Sequence, residues 1–450
     1  MNSSRITYKA HYKALLRLGG PIIIGQLGVI LQGIADSVMV GHYSSASLSA
    51  AGFVNHIFNL ALVFGMGFSY GLTPVISRLF SQNKIEKAAQ GLKNSILANL
   101  GISAIIVLCL TILYLNIDNV GQPEELLPLM RPYFITLLVS IPFMQLFYGY
   151  KQFSEGVTDT ATPMWIMLSG NLLNFVGNYM LIFGKWGAPE MGLTGAGLAT
   201  MGSRIFMWLA MVILFNYKKS FAPFKEQYRR VTFTLKGFKQ LNKLGWPIAL
   251  QMGMETASFS LSAVMMGWIG ATALASHQIL CTVGTLCFMI YYGIGAAVTI
   301  RESRFYGQNE IPEVRRTSYA GFHLILIFGT IATTAIFLLR HQIGYMFTDE
   351  AAVNTMTAAL VIPFIFYQLG DGLQCCYANA LRGIEDVKIM MLYAFIAYMV
   401  ISLPASYIFA FPLGLGAVGI WMGFPFGLTS AGLMFLFRFL KQTKKNQITI

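Results

Sequence analysis

Charge is what this sequence has least of. Only 11% of its 450 residues are Asp, Glu, Lys or Arg, against about 25% in an ordinary soluble domain. A water-facing globule cannot be built from that, and 56% of the residues are hydrophobic, with a mean hydropathy of +0.61. Cysteine is scarce as well. Cys109, Cys281, Cys287, Cys375 and Cys376 lie inside apolar segments without metal-ligand spacing, so they read as small buried hydrophobes and exclude a disulfide framework or a zinc site. Catalytic signatures are missing too: the chain has no Asp-rich metal motif, no His-Glu-x-x-His and no Gly-x-Ser-x-Gly, which argues against an enzyme and against a resident cofactor. The polar start, Met1 to Lys13, is followed by an apolar run too long for a signal peptide and without its small-residue cleavage site, so the first span is expected to be retained.

What is present is a succession of apolar stretches of roughly 20 residues, each able to cross a hydrocarbon core of about 30 Å as a helix. Helices satisfy their own backbone in lipid, so these are read as helices. Twelve spans are expected, at about residues 18–40, 52–76, 93–115, 128–150, 163–184, 192–216, 245–268, 276–300, 318–339, 356–378, 389–411 and 414–437. Positive charge collects on alternate connections, as the cytoplasmic side requires. Arg5, Lys9, Lys13 and Arg17 precede the first span, Arg78, Lys84, Lys87 and Lys93 follow the second, and a basic stretch from Lys218 to Lys243 marks mid-chain. Arg301, Arg304, Arg315 and Arg316, then Lys441, Lys444 and Lys445, continue the series. Both termini are thus expected in the cytoplasm, and the net charge of +13 reads as an orientation signal facing anionic lipid rather than as a nucleic-acid surface.

The chain also repeats itself. Shifted by 226 residues, Leu18-Gly19-Gly20-Pro21-Ile22 falls on Leu244-Gly245-Trp246-Pro247-Ile248, Gly41 on Gly267, Leu48 on Leu274, Gly67 on Gly293, Ser77-Arg78 on Ser303-Arg304 and Gln82-Asn83 on Gln308-Asn309. A looser match places residues 192–197 near 414–419. The expected domains are therefore an N-terminal six-helix bundle over 1–217, a basic cytoplasmic linker over 218–243 and a C-terminal six-helix bundle over 244–450. Six spans per half is an even number, so the halves enter the bilayer from the same side as a parallel repeat, a plan suited to alternating access around a midplane site.

Against this apolar background, four charged side chains stand well inside the expected spans: Asp36, Arg204, Glu255 and Asp371. Such groups cost roughly 2.5–3.5 kcal/mol on insertion scales, and their default reading is functional. The 226-residue offset sets Asp36 against Ser262 and Glu255 against Val29, so the acids are additions to individual halves. Tyr367 and Gln368 lie one helical turn before Asp371. Two carboxylates, a phenol and an amide offer oxygen ligands for a hard cation such as Na⁺, and either acid can carry H⁺ instead. In the first half Asn174 and Asn178 are one turn apart and Thr200 lies on the next span; the readings are interhelical glue or a polar cavity. Arg204, one turn beyond Thr200, either pairs with Asp36 or bonds backbone carbonyls. His277 reads as a packing residue, with Gln278 beside it, and the many Met and Phe residues as core or lipid-facing, some able to line a pliable apolar cavity.

These residues resemble a known family. Gln32-Gly33-Ile34-Ala35-Asp36 followed by Val40-Gly41-His42, the repeated Leu-Gly-x-Pro-Ile, Trp246-Pro247 before Glu255, His277-Gln278, and Tyr367 with Asp371 and Arg382-Gly383 are similar to the multidrug and toxic compound extrusion (MATE) transporters in their NorM-like bacterial branch. The resemblance covers nearly the whole chain. It implies an all-α membrane protein of two six-helix bundles enclosing a central cavity, a monomer of the bacterial inner membrane, exporting hydrophobic or cationic drug-like substrates by antiport against Na⁺ or H⁺. It further implies a Na⁺ or H⁺ site at Glu255, Asp371 and Tyr367, and a first-half polar cluster of Asp36, Asn174, Asn178 and Thr200; Asp36 is counted with the cation-coupling residues as well, and Gln278 and Arg204 with the polar cavity. Arg204 departs from the family pattern and counts against protonation of Asp36. The alternative is a flippase for a lipid-linked oligosaccharide from a related superfamily, which calls for a strongly cationic cavity. Arg204 as the sole deep base argues against it.

Overall fold

The computed structural model describes residues 6–119 and 123–448; Arg5 lies outside them. Sixteen α-helices follow in order among these residues. They are α1 (Tyr8–Tyr43), α2 (Ser45–Ser69), α3 (Leu72–Ser81), α4 (Ile85–Leu115), α5 (Leu127–Gly156), α6 (Ala161–Phe183), α7 (Gly192–Tyr217) and α8 (Ala222–Arg230). Then come α9 (Leu235–Ile269), α10 (Ala271–Gly307), α11 (Ile311–Leu338), the short α12 (Arg340–Ile343), α13 (Ala351–Gly383), α14 (Lys388–Ala394), α15 (Leu403–Ala410) and α16 (Gly416–Ile448). A π-helical stretch, Phe395–Ser402, joins α14 to α15. Among the described residues eleven helical segments are long and apolar enough to cross a membrane. The expected seventh span falls on α9, 35 residues long, whose membrane stretch carries Gln251, Glu255, Thr256, Ser258, Ser260 and Ser262. It is a span by length and by its place in the repeat, and its polarity marks it as functional.

The helices outrun the apolar windows that identify them. α5 runs six residues past the expected end at 150, α10 seven past 300 and α13 five past 378. These extensions bury charge. Lys151 and Glu155 form an ion pair of 2.7 Å with both side chains 3% exposed, and Glu302 and Arg382 are buried. The expectation of four deep charges, with Arg204 as the sole base, is therefore corrected: an apolar window stops where charge begins, although the helix and its packing continue.

By packing, the chain divides into two units, residues 24–249 and residues 1–23 with 250–450. The expected boundary at 244 lies within α9, and the chain's first 23 residues group with its second half. Glycine at the Leu-Gly-x-Pro-Ile motif is the cause. A Cβ on Gly19 would stand 2.9 Å from the Gly293 carbonyl oxygen, and one on Gly245 would stand 2.8 Å from that of Phe68. Gly19 and Gly245 are repeat partners, so the first third of α1 sits on α10 while the corresponding part of α9 sits on the end of α2. Small residues permit such close approach where lipid supplies no hydrophobic drive.

Just before each of these helices the repeat places a matching tether. Arg316 Nη1 donates to the Ile6 carbonyl at 3.3 Å, and Gln90 Nε2 donates to the Thr232 carbonyl, also at 3.3 Å. Both partners of the one bond lie 226 residues from both partners of the other. The second-half tether is ionic: buried His11 bonds Glu313 Oε2 at 2.9 Å, Arg316 reaches Glu313 Oε1 at 3.1 Å, and Arg301 Nε donates to His11 Nδ1 at 3.3 Å. Its first-half counterpart uses Lys93 on the Val231 carbonyl (2.7 Å) and Asn94 on Thr234 (3.1 Å).

Each unit has an aromatic core. Phe58 and Phe134 meet edge to face at 4.8 Å in residues 24–249; Phe259 and Phe424 stack at 4.6 Å in the other. In the latter, Gly419, Gly423 and Gly427 form a ridge on α16 against α15 and the π-helical stretch, sealed by Ser406 and Ser402 bonding carbonyls of residues 420 and 423.

Candidate functional site

In residues 24–249 the structure gathers the expected first-half cluster. Asp36, half-buried on α1, accepts from Asn178 Nδ2 at 2.6 Å. The Asn174 carboxamide satisfies its neighbours when its nitrogen faces Asp36 at 2.7 Å and its oxygen faces the Thr200 backbone N–H and Oγ1 at 3.3 and 3.2 Å. Both asparagines are fully buried on α6, one turn apart, so one helix face presents two amides to one carboxyl. Gln32, one turn before Asp36, also bonds it. Arg204 goes elsewhere. Its Nη1 donates to Ser140 Oγ at 2.7 Å, and no ion pair with Asp36 is seen among the described residues, although the guanidinium stays within coulombic range.

The second cluster lies on α9 and α13. Asp371 is 1% exposed, and the Tyr367 hydroxyl one turn back donates to its Oδ2 at 3.5 Å. The Tyr367 ring is fixed by Phe259, Phe364, Trp421 and Phe424, at centroid distances of 5.6–6.1 Å. Glu255, half-buried on α9, is within coulombic range of Asp371 without a direct bond. Its Oε2 accepts from Gln251 Nε2 at 2.9 Å and Gln374 Nε2 at 3.2 Å. Gln374 is three residues past Asp371 on α13, so one side chain ties the two acid-bearing helices. Gln278 stands apart, exposed on α10, with no side-chain bond to either acid.

Oxygens are in supply around these acids. Both polar atoms of Gln368, the Gln374 Oε1 and the Tyr398 hydroxyl are buried without a close hydrogen-bond partner, although the Tyr398 hydroxyl lies against Glu255. An unpartnered buried oxygen such as Gln374 Oε1 is costly in an apolar interior, and carboxyl, amide and phenol oxygens are donors that a dehydrated hard cation can take. No group of three or more His, Cys, Asp or Glu that could hold a metal ion occurs among the described residues.

Sequence reasoning missed Gln251, Gln374, Arg382 and Tyr398 as members of this site. Gln251 was findable: it lies four residues before Glu255. Tyr398 was not, because its direction depends on the π-helical stretch, where the wider turn shifts the face that α-helical counting assigns.

Comparison with known proteins agrees with this arrangement. The MatE family model matches residues 21–180 and again 247–408, the second match beginning at the 226-residue partner of the first. The chain is 31% identical to the probable multidrug resistance protein NorM of Bradyrhizobium diazoefficiens, over 94% of this chain and 92% of that one. It is 30% identical to the multidrug resistance protein NorM of Vibrio vulnificus, over 95% and 94%. In fold it resembles a MOP superfamily transporter from Pyrococcus furiosus, with a TM-score of 0.87, 19% identity and 97% of each chain covered. A eukaryotic MATE transporter gives a TM-score of 0.87 at 17% identity, over 98% of this chain and 99% of that one. A family model matched once in each half, and relatives aligned nearly end to end, make this multi-pass membrane protein a member of the MatE family of transporters.

Proposed function

We propose that this protein is a secondary active multidrug exporter that moves drug-like organic cations out of a bacterial cell across the inner membrane, in exchange for Na⁺ or H⁺ entering. The observation that carries the reading is the pair Glu255 and Asp371: two membrane-embedded carboxyls bonded to amides and a phenol, surrounded by orphaned oxygens, with no basic side chain bonded to either among the described residues. Carboxyls that the protein leaves without a bonded base suit a cation that comes and goes. Relatives that are multidrug resistance proteins support the drugs, and the residues support the cation.

Coupling follows if cation occupancy at Glu255 and Asp371 stabilises one arrangement of the transporter more than the other, since a ligand shifts a two-state equilibrium only through that difference. About 1.4 kcal/mol of coupling gives a tenfold change in drug affinity. The Asp36 cluster, built of amides around one acid, is assigned to substrate. The loop charges support both termini in the cytoplasm, and the working unit is read as the monomer. The flippase alternative is disfavoured because the buried bases are engaged one by one: Arg204 with Ser140, Lys151 with Glu155 and Arg382 with Gln251. They do not pool into an anion cradle.

The test is dye efflux from proteoliposomes under imposed Na⁺ or pH gradients. Gradient-driven efflux that survives Glu255→Gln with Asp371→Asn sinks the assignment.

A further inference from the structure

Arg382 lies one glutamine from Glu255 and within coulombic range of it. Its Nη2 donates to Gln251 Oε1 at 2.7 Å and its Nη1 to Asn379 Oδ1 at 3.3 Å. Asn379 is itself held, its Nδ2 donating to the Cys375 carbonyl at 2.9 Å and its Oδ1 receiving Thr299 Oγ1 at 3.2 Å. Arg382, Asn379 and Gln251 are all buried, Gln251 fully.

A carboxamide can turn either end to a neighbour, and its surroundings decide which. A guanidinium has donors only, so the oxygen of Gln251 has to face Arg382 and its nitrogen has to face Glu255, where it donates at 2.9 Å. Gln374 adds a second N–H to the same Oε2. A proton arriving at the other carboxyl oxygen leaves both bonds in place. A metal cation taking both oxygens competes with the Gln251 N–H for Oε2, and turning the amide to offer oxygen instead sets its NH₂ against the guanidinium.

We propose that Arg382 is a positioning residue that fixes the orientation of Gln251 and thereby tilts the site at Glu255 toward a proton over Na⁺. The inference rests on Glu255 being a cation site, and its test separates the two. Radiolabelled Na⁺ binding is measured across a pH series on the purified full chain in lipid nanodiscs, with folding followed by thermal melting. Arg382→Met frees Gln251 to offer its oxygen and is expected to lower the Na⁺ concentration for half-saturation about tenfold at fixed pH, the order of one charged hydrogen bond. Gln251→Met removes the competing donor and shifts in the same direction. Arg382→Lys, which keeps a donor-only cation, stays near the parent value. A merely structural defect lowers the number of sites without moving the competition between Na⁺ and H⁺. If Arg382→Met does not fold, Gln251→Met decides alone. Unmoved competition in the folded variants overturns the proposal when Glu255→Gln abolishes Na⁺ binding, whereas Na⁺ binding that survives Glu255→Gln overturns the cation site itself.

Discussion

The two halves bury charge in opposite ways. In residues 24–249 each deep charge is answered from within the protein: Lys151 by Glu155, Arg204 by Ser140, and Asp36 by the amides of Asn174, Asn178 and Gln32. In the second half Glu255 and Asp371 meet only amides and a phenol, and the nearest base, Arg382, is one glutamine away. The duplicated scaffold thus buries a bonded ion pair in one half, and in the other sets two acids on facing helices with their nearest base held one glutamine back. A shared fold does not imply shared duty.

The hardest blow to that comparison comes from splitting the bonded pair. Glu155→Leu takes the bonded carboxylate from the buried Lys151 ammonium and is expected to cost about 3–5 kcal/mol, read as a lowered thermal midpoint, while Lys151→Met together with Glu155→Leu regains most of it. A double variant as unstable as the single one would show that the pair is more than self-neutralising. Next in size, Glu255→Gln with Asp371→Asn is expected to cut gradient-driven efflux about 100-fold, roughly 2.7 kcal/mol, with drug binding retained; loss of drug binding as well would erase the division of labour between the halves. Asn178→Ala, which removes a bond to a charged acceptor, should raise the half-saturating drug concentration about tenfold and leave Na⁺ half-saturation alone. The smallest effect belongs to Arg204→Gln. Its bond goes to Ser140, so the pH profile of efflux should hold its shape and the rate should change less than about threefold, under 1 kcal/mol. A displaced profile would mean that the long-range field of Arg204 governs Asp36 after all.

Much of this was legible in the chain. The spans and the 226-residue repeat follow from hydropathy and sequence offset, and helix geometry turns the separation of four between Asn174 and Asn178 into a shared face; that Asp36 and Thr200 belong with them is what the family resemblance implies. What stayed hidden has physical reasons. Glu302, Lys151 and Arg382 lie past the edge of any apolar window, since hydropathy averages report solvent and not packing. Tyr398 reaches Glu255 through a π-helical stretch that α-helical counting cannot anticipate. The grouping of Tyr8–Ile23 with the second half rests on Gly19 meeting Gly293, a close approach that a glycine permits but does not announce.

That last feature bears on how the chain is made. The tether of Ile6 to Arg316, and of His11 to Glu313, joins positions some three hundred residues apart. The opening of the first helix, although synthesised first, has no seat until α10 and α11 have emerged from the ribosome, so it waits through most of synthesis with its glycine face uncovered. Its repeat partner waits for nothing, because α2 and α4 already exist when α9 appears. Assembly therefore closes on its own beginning: the partners of Gly19 and His11 are supplied only once the chain has been carried into α11.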